Sequence, residues 1–157
     1  MTIIDHSTRR LATFIALTLG AGLTIGYLNV PGRWYAALNK PSFNPPDWIF
    51  APVWIALFVL IGIVGWRTWE RAPASAAMIL WFVQLSLNFL WSPVFFSLNR
   101  IGTALVIVVA MFATITAFIV LQWSKDRASA VLFIPYAAWV GFATVLTSAI
   151  FRLNPMR

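Results

Sequence analysis

The chain has 157 residues, of which 61% are hydrophobic and only 10% are charged, and it contains no cysteine. This apolar fraction exceeds what one soluble domain of this length needs to fill its core, which excludes an ordinary water-soluble globular fold. The net charge of +7 is not gathered into a basic run or a nucleic-acid recognition motif, and the absence of cysteine excludes disulfides and thiolate metal sites.

Five stretches of the chain carry no Asp, Glu, Lys or Arg. They cover residues 11–32, 48–66, 72–99, 101–124 and 128–151 and hold 22, 19, 28, 24 and 24 residues. A helix needs about 20 residues to cross a hydrocarbon core roughly 30 Å thick, so each stretch can span a membrane. We predict an all-α, multi-pass integral membrane protein, a five-transmembrane-helix bundle that forms a single domain over 1–157. The predicted helices cover 11–29, 48–68, 74–98, 102–123 and 128–150.

Cations cluster between these stretches, where they can meet anionic lipid headgroups, so lipid is an expected partner. In the first predicted helix, Gly22 and Gly26 form a G-x-x-x-G pattern. This pattern allows close approach of another helix, which can belong to the same chain or to a second copy.

The connection over 30–47 is too long and too rich in proline and aromatic residues to be a simple turn. Its prolines restrict the backbone, and its aromatic residues, among them Trp34 and Tyr35, provide side chains that can pack. We predict that this segment, called the lid below, is ordered and covers one end of the bundle. The remaining connections are short, which favours antiparallel neighbours.

The third predicted helix carries uncharged polar residues at helical spacing. Gln84, Asn88 and Trp91 share one face near mid-membrane, with Ser92 beside them. One interpretation is interhelical hydrogen bonding, which amides commonly provide in membrane bundles. The other is a ligand pocket. Trp54, Trp91 and Trp139 lie deeper than an interfacial belt requires, and they suit either core packing or stacking on a flat, largely apolar ligand.

The predicted spans contain no carboxylate, histidine or lysine, and His6, the only histidine, is placed before the first helix. Acid–base catalysis, metal binding by histidine and proton relays through carboxylates all need such groups. We therefore predict no metal site and no required cofactor.

Three motifs resemble the TspO/translocator protein family, the tryptophan-rich sensory proteins. The segment from Trp34 to Trp48, WYAALNKPSFNPPDW, is similar to that family's first loop, and Pro52-Val-Trp54 continues the match into the second helix. The segment QLSLNFLWSPVFF, over 84–96, resembles the third-helix signature, and PYAAW, over 135–139, resembles the fifth. The resemblance covers nearly the whole chain and indicates a bacterial member in the cell membrane.

The resemblance implies a homodimer with a pocket beneath the lid. The resemblance also implies that this pocket binds porphyrins and synthetic isoquinoline or benzodiazepine-type ligands. Carried over by motif position, the ligand-binding residues are Trp34 and Tyr35 in the lid, Ala51, Trp54 and Phe58 in the second helix, Gln84, Asn88 and Trp91 in the third, and Trp139, Ala143 and Leu146 in the fifth.

The function implied is a membrane sensor that binds protoporphyrin IX or a related tetrapyrrole. One alternative is a light-dependent porphyrin-degrading enzyme with Trp34 and Trp139 as its catalytic tryptophans, and another is a porphyrin transporter. The absence of a histidine ligand in the spans agrees with a metal-free porphyrin. Its propionates could pair with Arg33, Lys40 or Arg100, which the predicted topology places on one side of the membrane.

The family's animal members carry a cholesterol-recognition pattern with a tyrosine at the end of the fifth helix. This chain has Ser148 at that position. Such patterns are weak even when they are complete, so cholesterol transport is not carried over to this chain.

Overall fold

A computed structural model describes residues 6–155. Its helices are α1 His6–Leu28, α2 Arg33–Ala36, α3 Phe50–Arg71, α4 Ala76–Ser92, α5 Ile101–Gln122 and α6 Arg127–Leu153. A 3₁₀ turn, Asp47–Ile49, leads into α3, and a π-helical turn, Pro93–Ser97, continues α4. Helix α2 is a single turn. The other five helices are long and apolar enough to span a membrane, and the 3₁₀ and π-helical turns form part of the spans of α3 and α4. The predicted five-helix membrane bundle is confirmed.

The ends of the helices differ from the predicted bounds because polar residues extend or cap them. His6 lies in α1, so the placement of His6 before the first helix was wrong. The extra turn carries Arg10, whose guanidinium forms a 2.9 Å ion pair with Glu70 on α3 and remains in reach of the polar headgroups. Helix α4 starts only at Ala76, because the Ser75 hydroxyl caps it by accepting a hydrogen bond from the Met78 amide.

The bundle is built mainly from the pairs α5–α6, α1–α3 and α4–α5, with further packing of α3 on α6. Helices α3 and α4 share few contacts although only four residues, 72–75, separate them. A short connection makes two helices antiparallel but does not oblige them to pack closely. The three main pairs are consecutive long helices along the chain, and α3–α4 is the consecutive pair that packs least.

Helix α1 lies very close to α3. A Cβ atom added at Gly62 would lie 2.8 Å from the Ile15 Cα atom and 2.8 Å from the Thr18 hydroxyl. The Thr18 hydroxyl also donates a 2.8 Å hydrogen bond to the Phe58 carbonyl on α3. One glycine of the G-x-x-x-G pattern, Gly22, belongs to this interface, since an added Cβ would clash with the Phe58 ring. The glycine therefore serves packing within the chain.

A cluster of charges joins α3 to the start of α6, at the end of the bundle opposite the lid. The Asp126 carboxylate, whose side chain is 4% exposed, pairs with Arg67 at 2.9 Å and with Arg71 at 2.6 Å, and it accepts a hydrogen bond from the Ser129 hydroxyl. Burial alone would raise the pKa of Asp126, but the hydrogen bonds from Arg67 and Ser129 outweigh burial and lower it. The carboxylate is therefore held in its charged form.

The lid is tied to the bundle by side-chain amides. The Asn154 side chain donates a 3.0 Å hydrogen bond to the Asn39 carbonyl and accepts one of 3.1 Å from the Asn39 amide. Beside the lid, the Ser97 hydroxyl donates to the Asn29 side-chain oxygen and so joins the π-helical turn to the residue that follows α1. Two residues of the lid, Tyr35 and Leu38, are buried. The lid therefore closes over the end of the bundle at which α1 ends and α3 begins.

Candidate ligand-binding site

A cavity of about 510 Å³ lies beneath the lid. All five spanning helices contribute to its wall: Gly22 and Gly26 from α1, Ala51, Trp54 and Phe58 from α3, Asn88 and Trp91 from α4, Val108 and Met111 from α5, and Trp139, Ala143, Leu146 and Thr147 from α6. This volume falls within the range of about 300 to 1,000 Å³ typical of small-molecule sites.

Aromatic rings form much of the cavity wall. The Trp54 and Phe58 rings stack with centroids 5.4 Å apart on one side, and the Trp91 and Phe95 rings stack at 5.1 Å on another. Trp139 meets Phe50 edge to face at 5.7 Å. Rings in these orientations can stack on the flat face of an aromatic ligand or contact its edge.

A buried hydrogen-bond chain begins at Asn88 in the cavity wall. The Asn88 amide donates to the Tyr136 hydroxyl at 2.7 Å, and this hydroxyl donates to the Gln84 carbonyl oxygen at 2.8 Å. The Gln84 amide in turn donates to the Trp81 carbonyl at 2.8 Å, while the Trp81 ring donates to the Ile61 carbonyl at 2.9 Å. The chain connects α3, α4 and α6, so these amides do form the interhelical bonds that one interpretation of the sequence predicted.

Most of the ligand-binding residues predicted from the sequence lie in the cavity wall. They are Tyr35, Ala51, Trp54, Phe58, Asn88, Trp91, Trp139, Ala143 and Leu146. Two of the predicted residues are not part of the wall. Gln84 is fully buried beside Tyr136, and Trp34 packs against Phe95 at a centroid distance of 5.8 Å.

Several wall residues were not predicted. Phe95 and Phe96 reach the cavity because the π-helical turn after Ser92 inserts an extra residue into the helical repeat and changes the faces that follow. Val108 and Met111 come from α5, whose almost uniform apolar sequence offers no polar marker for one face. Proline at 93 was the available signal for an irregular turn, since it lacks the amide that would continue the helical bonding.

Charge is sparse in the cavity wall. Asp47, an exposed residue at the lid end, is the one charged wall residue within the described range 6–155. Burial raises the pKa of the neighbouring Tyr35 hydroxyl and the Asp47 carboxylate raises it further, while a hydrogen bond to Asn44 opposes both. Tyr35 therefore stays neutral.

The described residues also contain no group of three or more His, Cys, Asp or Glu side chains close enough to hold a metal ion. One buried donor in the wall, the Trp91 indole nitrogen, has no hydrogen-bond partner. The wall thus offers neutral hydrogen-bonding groups and aromatic surface.

Comparison with known proteins agrees with this architecture. The TspO/MBR family matches residues 14–153. The chain is 36% identical to Protein CrtK of Rhodobacter capsulatus over 148 residues, covering 92% of each chain. It is 38% identical to the tryptophan-rich sensory protein of Cereibacter sphaeroides over 142 residues, covering 90% of this chain and 89% of the relative.

A human relative is also similar. The chain is 33% identical to the Homo sapiens translocator protein over 146 residues, covering 89% of this chain and 86% of the relative. Identities of this size extend across all five spanning helices and the lid, and the family match begins in α1 and ends at the last residue of α6. The chain is therefore an integral, multi-pass membrane protein that belongs to the TspO/MBR family.

Proposed function

We propose that this protein is a membrane sensor that binds protoporphyrin IX or a related tetrapyrrole in the cavity beneath the lid. The observation that carries the proposal is the cavity itself, an apolar space with stacked aromatic walls and one buried amide, Asn88, in a TspO/MBR family member. The names of two relatives, tryptophan-rich sensory protein and translocator protein, support a sensory or regulatory role in a membrane.

The chemistry of the wall favours binding a flat, largely apolar molecule. Rings on three sides can stack on the faces of such a ligand, and Asn88 and Thr147 can orient it through neutral hydrogen bonds. The same features suit synthetic isoquinoline or benzodiazepine-type ligands, which we propose bind in the same space.

A steric block tests this proposal. Ala143 lies in the cavity wall, so Ala143→Phe should fill part of the cavity and weaken protoporphyrin binding about tenfold, since overpacking costs about 1 to 3 kcal/mol and about 1.4 kcal/mol corresponds to a factor of ten. Titration followed by quenching of tryptophan fluorescence measures the affinity. The matched control is Val145→Phe, two residues along the same helix and 59% exposed, which should bind like the unchanged protein. Equal affinity in both variants would contradict the proposed site.

Light-dependent degradation of the bound porphyrin is a second candidate function. It is favoured by Trp139, which lies in the cavity wall and can touch a bound ring, whereas Trp34 lies outside the wall. Under illumination in air, the protein should then convert protoporphyrin to a product that free porphyrin does not form. Trp139→Phe should abolish that product while binding persists. Formation of the same product at the same rate without protein would exclude catalysis, and absorbance spectra measure both.

A further inference from the structure

A groove on the outer side of the lid shares its wall with the cavity. Pro31, Tyr35 and Asp47 line both spaces, and Lys40 and Asn44 line the groove alone. Tyr35 lies between the two spaces, with its hydroxyl 3.5 Å from the Asn44 side-chain oxygen. A ligand that fills the cavity thus needs to extend only past Tyr35 to reach the groove.

The two spaces differ in charge. Within residues 6–155 no cationic side chain lines the cavity, whereas the groove carries Lys40. The Lys40 ammonium lies 4.5 Å from the centroid of the Tyr35 ring and 3.5 Å from the Ala36 carbonyl, and it forms no ion pair with the carboxylates that the structure describes. Its charge is available to an anion.

An anionic ligand could not place its charge inside the cavity without a large penalty. Moving a carboxylate from water into an apolar space without a counter-ion is strongly unfavourable. The carboxylates of protoporphyrin must therefore leave the cavity on the lid side, and Lys40 is the cation that adjoins that route. Arg33 and Arg100, which the sequence alone made equal candidates, line neither space.

We infer that the groove is the second compartment of the binding site, which holds the carboxylates of a flat ligand while its ring occupies the cavity, with Lys40 as their counter-ion. This inference rests on the proposed function and narrows its ligand class to amphipathic anions, molecules with an apolar ring system and carboxylates on one edge. Asp47, which borders both spaces, opposes these carboxylates by like charge.

The test compares protoporphyrin IX with its dimethyl ester, which keeps the ring and lacks the charges. Lys40→Gln should weaken binding of the acid about fivefold, the factor expected for one partly exposed ion pair, and leave binding of the ester unchanged. Lys40→Arg should restore the affinity for the acid. Asp47→Asn should strengthen binding of the acid about twofold, because it removes a repulsion. Arg33→Gln and Arg100→Gln are the matched controls and should bind the acid as the unchanged protein does.

Four outcomes would overturn the inference. If Lys40→Gln weakens binding of the acid and of the ester equally, Lys40 shapes the lid and does not pair with carboxylates. If Arg33→Gln or Arg100→Gln lowers the affinity for the acid more than Lys40→Gln does, the counter-ion is not Lys40. If the unchanged protein binds the ester as well as the acid, the proposed function stands and only the inference fails. Binding of neither compound would overturn the proposed function and this inference together.

Discussion

Single residues on one helix face can have different tasks when they lie at different depths. Asn88 and Gln84 are one helical turn apart and both contact the Tyr136 hydroxyl, but only Asn88 reaches the cavity. Gln84 is enclosed by protein, where it accepts from Tyr136 and donates to the Trp81 carbonyl. Asn88 is thus placed to contact a ligand, and Gln84 to hold the residues beneath it.

Substitution should separate these two roles. Asn88→Ala should weaken binding of an isoquinoline-type ligand by up to about tenfold, since one hydrogen bond contributes about 0.5 to 1.5 kcal/mol. Gln84→Ala should lower the free energy of unfolding by about 1 to 3 kcal/mol, because it leaves buried polar groups unpaired, with a smaller effect on affinity. Ligand titration and thermal unfolding in detergent measure the two effects. A loss of affinity in Gln84→Ala as large as in Asn88→Ala would contradict this division.

At the scale of the helices, the α1–α3 interface depends on glycine. Gly62 and Gly65 allow close approach, since an added Cβ would meet the Ile15 backbone in one case and the Phe14 ring, at 2.8 Å, in the other. Helix packing in a membrane gains little from the hydrophobic effect, so such close contacts carry much of the association. The interface also holds Phe58 in place as part of the cavity wall.

Gly62→Ala should therefore destabilise the bundle. The added methyl group meets backbone atoms that cannot rotate away, so we expect the free energy of unfolding to fall by about 1 to 3 kcal/mol. Gly20→Ala on α1 is the matched control, because nothing lies within 4 Å of an added Cβ there. Thermal unfolding of both variants in the same detergent measures the difference. A fall in stability for Gly20→Ala equal to that for Gly62→Ala would contradict the steric explanation.

For the whole molecule, the two ends of the bundle are held together differently. The lid end encloses the cavity and is joined by neutral amides, whereas the opposite end is joined by the buried carboxylate of Asp126 between α3 and α6. Much of α1 faces outward, with apolar residues such as Leu17 exposed to the surrounding lipid or to a partner chain. The homodimer that the family resemblance implies stays a prediction.

The charged end predicts how global stability depends on pH. Because the pKa of Asp126 is lowered in the folded protein, its contribution is complete above the ordinary aspartate value of about 4 and is lost as the pH falls through the lower folded-state value. Asp126→Asn should lower the free energy of unfolding by about 2 kcal/mol at pH 7, and the difference from the unchanged protein should shrink below about pH 4.

Unfolding measured between pH 3 and pH 7 checks this prediction. The control is Glu70→Gln, which removes the more exposed ion pair with Arg10 and should cost less than about 1 kcal/mol. A difference between Asp126→Asn and the unchanged protein that is constant over the whole pH range would mean that the ionised carboxylate is not what joins the two helices.

The sequence by itself determined that the chain crosses a membrane as five helices, and its family motifs named part of the cavity wall. Long stretches without charge can only be helices in lipid, where every backbone group must be paired within the segment. Helical periodicity placed Asn88 and Trp91 on one face, and the lid motif led to the family match. These features are local, so they can be read from neighbouring residues.

Only the tertiary structure decided which polar group reaches the cavity and which supports it, because the depth of Gln84 relative to Asn88 depends on how α4 packs against α6. It also showed that the π-helical turn brings Phe95 to the wall, that Trp34 lies outside it, and that Lys40, among three candidate cations, adjoins the cavity. Periodicity assigns a residue to a face of its own helix, but the neighbour across that face is set by packing between segments far apart in the chain.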